Sequence, residues 1–236
     1  MTGALGGWTE MLAAFGAFFA SHMIPARPQI RAWLRARLGA GLYVALYSAI
    51  SLALVGWLIV AAGRAPYVEL WAFAPWQLWA PNIVMPIACL LIGLGAGAIN
   101  PFSFAGRAPE KFDPANPGIA GLTRYPILWA IVLWALAHMV PNGDLAHVLL
   151  FGLFAGFGLA GMAMLDSRRR RQWGEDVWAA RAANTSLIPL AAILAGRARL
   201  GPALWRPGRI AAGIAVYLML LLGHRAVIGV SPLPLW

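Results

Sequence analysis

Long apolar runs alternate along this chain with short clusters of charge, proline and glycine, and the runs have the length of membrane helices. They occupy residues 5–24, 42–62, 83–99, 123–144, 145–165 and 210–230. A helix rises ~1.5 Å per residue and the hydrocarbon core of a bilayer is ~30 Å thick, so about 20 apolar residues cross it. One more run, residues 185–195, is apolar but about half that length. The pattern predicts an all-α, polytopic membrane helix bundle forming one domain over residues 1–236, with about six transmembrane helices and one half-helix.

The polar intervals refine the picture. Residues 28–38 form a basic amphipathic piece with Arg31, Arg35 and Arg37, set before the second span. Residues 63–81 hold Tyr67, Trp71, Trp76 and Trp79 with three prolines, a composition suited to the headgroup layer. Pro86 interrupts the third run, whose Gly93, Gly95 and Gly97 permit a kink and a close approach to a neighbour. Residues 100–122 read as a polar loop, and the very short turn after the fourth run makes that run and the fifth antiparallel neighbours. Gly152 and Gly156 stand in a GxxxG spacing, a packing signal. Residues 166–183, with the run from Arg168 to Arg171, read as a charged helix on the membrane surface.

Composition and charge then fix class and orientation. Hydrophobic residues make up 61% of the 236 and charged residues only 11%, which excludes a soluble bundle. The net charge of +10 lies in short clusters between apolar runs, so it orients the chain in a bilayer and does not indicate nucleic acid. With six spans, 16 of the 18 basic residues fall on one side; if residues 185–195 crossed, the division would be less one-sided. The positive-inside rule therefore favours six spans with the N- and C-termini outside. The first run lacks the basic start of a cleavable signal peptide and is expected to stay in the mature protein. Cys89 is the only cysteine, so internal disulfides, cysteine-rich metal sites and covalent haem attachment through paired cysteines are excluded.

Few groups remain for chemistry. Counting back from His138 in steps of three and four gives Trp134, Ile131, Ile127 and Arg124, one helix face bearing a cation, an indole and an imidazole. His22, His138 and His224 fall within or at the ends of spans, and His147 follows the turn. Each intramembrane imidazole either hydrogen-bonds a backbone carbonyl or serves as a ligand, and two from different helices can clamp a b-type haem. Arg124 is either a positive-inside anchor or a holder of phosphate or carboxylate. By helical rise, His138 and His224 lie at similar depth toward the outer face, while His22 differs from His138 by roughly 10 Å. The carboxylates Glu10, Glu69, Glu110, Asp113 and Asp144 lie in loops or at ends, against a dinuclear carboxylate site.

The segments SHMIPARPQIRAWLRARLG, YVALYSAISL, NPFSF, TRYPILWAIVLWALAHMVPNGD, RRRRQWGEDVW, TSLIPLAAILAGR and HRAVIGVSPLPLW, in this order over nearly the whole chain, resemble the NnrU family. That family includes the 15-cis-zeta-carotene isomerases, and its bacterial members are associated by name with nitrite and nitric oxide reduction. The resemblance implies a non-covalent haem b, with His22, His138 and His224 as candidate iron ligands and Trp134 and Arg124 on the cofactor's helix. Arg124-Tyr125-Pro126 stands where the isomerases typically have Arg-His-Pro. The implied function is a haem-dependent cis-trans isomerase of a lipophilic polyene; the alternative is a non-catalytic accessory protein of denitrification working with a respiratory partner. The implied setting is the bacterial inner membrane, multi-pass, among membrane lipid and away from nucleic acid.

Overall fold

The computed structural model describes residues 2–25, 27–199, 201–202 and 204–234. Its helices are α1 (Thr2–Met23), α2 (Pro28–Arg64), α3 (Trp79–Gly95), α4 (Ile119–Leu122), α5 (Pro126–Met139), α6 (Leu145–Trp173), α7 (Glu175–Ala182), α8 (Ala191–Leu194) and α9 (Pro207–Ile228). Among the described residues there is no strand, only two isolated bridges, Glu69 with Asp144 and Ile99 with Arg107. The chain divides into two compact units, residues 1–72 with 143–150 and residues 73–142 with 151–236.

In the first unit α1 packs on α2. Pro28 opens α2 from the first helical turn, where its missing N–H costs nothing. Gly39, at φ 75°, breaks α2 into the basic piece expected at residues 28–38 and a long apolar helix behind it. Glu10 accepts from Arg64 at 3.1 Å and from Trp57 at 3.3 Å, tying α1 to the far end of α2. The Leu70 and Trp71 amides donate to the Gly143 carbonyl at 2.8 and 3.1 Å, and the Leu145 amide donates to Val68. Asp144 caps α6 by accepting the His147 amide, and its other oxygen meets His147 Nδ1 at 2.7 Å.

In the second unit α5 is the centre. Tyr125, Leu128, Val132 and Met162 share a core with Phe102, Trp178 and Ala182, and Ala130 packs with Ala88 and Leu91 of α3. Val132 covers Gly158 and Leu128 covers Gly161, so α5 and α6 run antiparallel as expected. The GxxxG pair takes only a marginal part in that contact: a Cβ on Gly152 would lie 3.8 Å from the end of the Met139 side chain, and Gly156 faces open space. Gly93 and Gly213 bring α3 and α9 backbone to backbone, and Gly95 sits under Pro126.

Four described helices are long and apolar enough to cross a membrane: α2, the Pro75–Gly95 stretch, α6 and α9. Much of their surface is apolar and exposed, as at Leu52, Leu222 and Val227, which a bilayer covers and water does not. Three expectations are corrected. The 14 residues of α5 reach only ~21 Å, short of the run predicted over residues 123–144, because Pro126 fixes the start and Pro141 lies just past the end. Residues 166–173 are not a separate surface helix: α6 continues through them, and Gly174 at φ 83° starts α7. The half-helix at residues 185–195 is one turn, α8, because Pro189 and the left-handed Leu190 precede it. Its other residues are an irregular strap bonded to the α4–α5 segment through Ser186 N to Ala120 O and Leu190 N to Leu122 O.

Candidate functional site

The two ends of α5 carry the polar chemistry of the second unit. At its start, Thr123 is extended backbone and Tyr125, directly before Pro126, is also non-helical, and the backbone groups here find partners outside the helix. The Arg124 amide donates to Ser186 O at 2.7 Å, and Asn100 Nδ2 donates to Arg124 O at 2.9 Å. Asn100 in turn accepts from the amides of Phe102 and Ser103, which folds the NPFSF turn beneath the guanidinium.

The Arg124 side chain is buried. Nη2 donates to Asp166 Oδ2 at 2.7 Å and Nη1 to Thr185 Oγ1 at 3.0 Å, while Tyr125 Oη donates to the other Asp166 oxygen. Its cation lies 5.7 Å from the Phe102 ring and 5.6 Å from the Trp178 ring. Arg124 Nε has no partner among the described residues. One carboxylate thus neutralises one guanidinium and takes a phenol as well. The group closes α5, α6, α7 and the strap at residues 185–190 upon one another.

The other end of α5 is open. His138 Nδ1 meets Trp134 O at 2.8 Å, and Asn142 Nδ2 donates to His138 O at 2.7 Å. His138 borders a cleft of about 90 Å³ that His224 also lines, with Asn82, Met85, Tyr217 and Leu221. Gly229, at φ 91°, turns the chain after α9, so His224 Nδ1 meets Val230 O at 2.9 Å. Asn82 Nδ2 donates to both Leu78 O and Pro232 O, pinning the returning segment to the start of α3.

A carbonyl only accepts, so a neutral imidazole bonded to one through Nδ1 carries its proton there. His138 and His224 each therefore present Nε2 as a lone pair, the atom that ligates a metal.

Of the residues singled out from sequence, the fold brings His138 and His224 to one cleft. Trp134 stands one turn from His138 and packs edge-on against Phe151 and Phe154 at 5.4 and 5.3 Å, outside the cleft lining. Arg124 is at the opposite end of α5, in the ion pair with Asp166. His22 belongs to the first unit, where its Nδ1 meets Phe18 O at 2.9 Å and its ring lies 5.7 Å from Tyr47. Asp166, Thr185, Asn100 and Asn82 escaped the sequence reading. Asp166 had a usable signal: it is the first charge after the apolar run antiparallel to α5, at the depth of Arg124. No group of three or more His, Cys, Asp or Glu able to hold a bare metal ion occurs among the described residues.

A helix bundle with lipid-length apolar helices, a buried ion pair at one end of its central helix and an imidazole cleft at the other is an integral membrane protein. The chain belongs to the NnrU family: the family model described as NnrU protein matches residues 10–232. No curated protein and no solved structure matches the chain.

Proposed function

We propose that this protein is a haem b–binding member of its family, holding the group without covalent attachment through His138 and His224. The observation carrying this is that two intramembrane imidazoles, each committed through Nδ1 to a backbone carbonyl, line one cleft. The donor chemistry fits haem iron, for which paired neutral imidazoles are a standard ligand set. The room is the demanding part: about 90 Å³ is below the ~300–1,000 Å³ of ordinary ligand pockets. Seating a macrocycle would require lining side chains such as Met85, Tyr217 and Leu221 to swing aside; of these Met85, unbranched and flexible, is the most adaptable.

Bound there, such a group supplies one-electron redox chemistry. Asn142 and Asn82 then act as positioning residues, the first holding the end of α5 and the second holding the segment that orients His224. With His138 and His224 both committed to the group, neither would be free to give way to a substrate, which favours the accessory reading in nitrogen-oxide reduction, where the group would supply electron exchange with a respiratory partner. The isomerase reading requires one of the two histidines to be labile, and His224, whose Nδ1 meets Val230 O of the returning segment, would be that one. Its polyene would arrive from the bilayer along the apolar flank of α9. Both readings place the protein in a bacterial inner membrane with its basic face inward.

The test is an optical spectrum of the detergent-purified protein, oxidised and then dithionite-reduced, with a pyridine haemochrome assay. A b-type spectrum near one haem per chain that is lost in His138→Ala and weakened in His224→Ala supports the proposal. Retention in His138→Ala overturns it, and loss in His22→Ala with retention in His224→Ala replaces His224 by His22 as the second ligand.

A further inference from the structure

Away from the imidazole cleft, the second unit has a separate cavity of about 130 Å³ with a basic rim. Arg107, Lys111, Arg206 and Arg209 line it, above an apolar floor that includes Leu94 and Ile119. The floor continues into a small core where Ala98, Ile119 and Leu204 pack with Leu94 and Leu122.

The rim is held in place by its backbone. The Arg107 amide donates to Ala98 O and the Gly97 amide to Ala105 O, both at 2.8 Å, so the loop bearing Arg107 is clamped to the end of α3. Arg209 spends its guanidinium on carbonyls at and just past the end of α3, donating to Leu94 O at 2.8 Å and Gly97 O at 2.6 Å. It therefore caps a helix C-terminus, where a cation is favoured. Arg107 and Arg206 line the same cavity as Arg209, so like charges share one concavity.

No ion pair among the described residues involves Arg107, Lys111, Arg206 or Arg209. The one carboxylate lining the cavity, Asp113, is taken by the Ala115 amide at 2.9 Å and by Asn116 Nδ2 at 2.7 Å.

Interfacial arginines that serve only as anchors spread outward into headgroups and water. Here four cations line one concavity with an apolar floor against a single carboxylate that no cation pairs with, an excess of positive charge that an anion stabilises by neutralising the mutual repulsion. The cavity as it stands has room for a phosphate group. We propose that this cavity binds a phosphate group, either free or as the headgroup of a lipid whose apolar portion lies against Leu94 and Ile119.

The full chain in neutral detergent tests this. Adducts with phosphatidylglycerol and with phosphatidylcholine are titrated by native mass spectrometry, and inorganic phosphate is titrated in parallel as a competitor and as a ligand alone. Wild-type protein should retain phosphatidylglycerol in preference to phosphatidylcholine. The variant Arg107→Gln with Arg206→Gln should weaken that binding at least about tenfold, since two charge-assisted contacts are lost. Both side chains are exposed, so this variant keeps the fold, and Lys111→Gln gives an independent, smaller loss. Arg31→Gln with Arg35→Gln, in the first unit, should leave binding unchanged. Binding of phosphate alone at the same site assigns a free phosphate, and binding of the lipid only assigns a headgroup; each supports the site. Equal binding of phosphatidylcholine, no loss in the Arg107/Arg206 variant, or an equal loss in the Arg31/Arg35 variant overturns it.

Discussion

Arg124 donates to Asp166 at 2.7 Å across 42 residues of sequence, and both side chains are nearly inaccessible. Tyr125 donates to the same carboxylate, so α5 enters the bundle with its charge already neutralised. A buried pair adds little over an apolar replacement but costs heavily when one partner is removed, because the other is stranded. Arg124→Leu is expected to destabilise the protein by about 3–5 kcal/mol. Arg124→Leu with Asp166→Leu should recover much of that loss, read as the thermal unfolding midpoint in detergent. Additive losses would show that the two residues act separately.

The approach of α3 to α9 gives a second prediction. A Cβ built on Gly213 would lie 2.9 Å from Cys89 O and 3.0 Å from Leu90 Cα, both backbone atoms that cannot move aside. Gly213→Ala is expected to cost about 1–3 kcal/mol as the helices separate. Gly156→Ala, with open space around it, should be neutral or gain up to about 1 kcal/mol in helix propensity. The same thermal measurement on both variants decides between them. The reverse ranking would return the packing role to the GxxxG spacing.

These two contacts also mark what could be read from the chain. The runs of apolar residues gave the helices, and the short turn before Leu145 gave the antiparallel pairing of α5 with α6. Pro28 and Gly39 bound the basic piece where composition changed, and Gly93 and Gly95 do meet neighbours closely. Helical rise also set His138 and His224 at one depth, and one cleft holds both. The role of Arg124 was not readable from its own neighbourhood. A basic residue at the head of a span looks like an anchor until its partner is known, and Asp166 opened a run that read as surface charge. The strap at residues 185–190 was misread for a related reason: its apolar composition fits a half-helix, but its hydrogen bonds go to Ala120 and Leu122. Composition records burial and not the identity of the partner.

Asp113 yields a pH dependence. The side-chain hydrogen bond from Asn116 and the Ala115 amide hold its carboxyl below its ordinary value. A group with a lowered folded pKa contributes stability that is full above its unfolded value, ~4, and is lost as pH falls through the folded value. The turn over residues 113–116 should therefore be closed at neutral pH and open in strong acid. The Ala115 and Asn116 amide resonances, followed by NMR from about pH 6 down to about pH 2, should titrate with a midpoint below ~4. Asp113→Asn should flatten the response; an unchanged titration in that variant would assign the opening to another group.

Asn82 joins Leu78 O and Pro232 O with one amide, at 2.8 and 2.7 Å, across 150 residues in the second case. It is the donor of both bonds, so the interaction needs an NH2 group. Asn82→Asp removes the donors while keeping the shape, and Asn82→Ala removes both. Each bond is worth about 0.5–1.5 kcal/mol net, too little to unfold the bundle. It is enough to free the segment after Gly229, whose Val230 carbonyl holds His224. Hydrogen exchange over residues 229–233 should speed up in both variants while exchange in α5 stays unchanged. Unchanged exchange at the C-terminal segment would mean that the His224 contact with Val230 fixes it alone, and His224→Phe should then release it where Asn82→Ala does not.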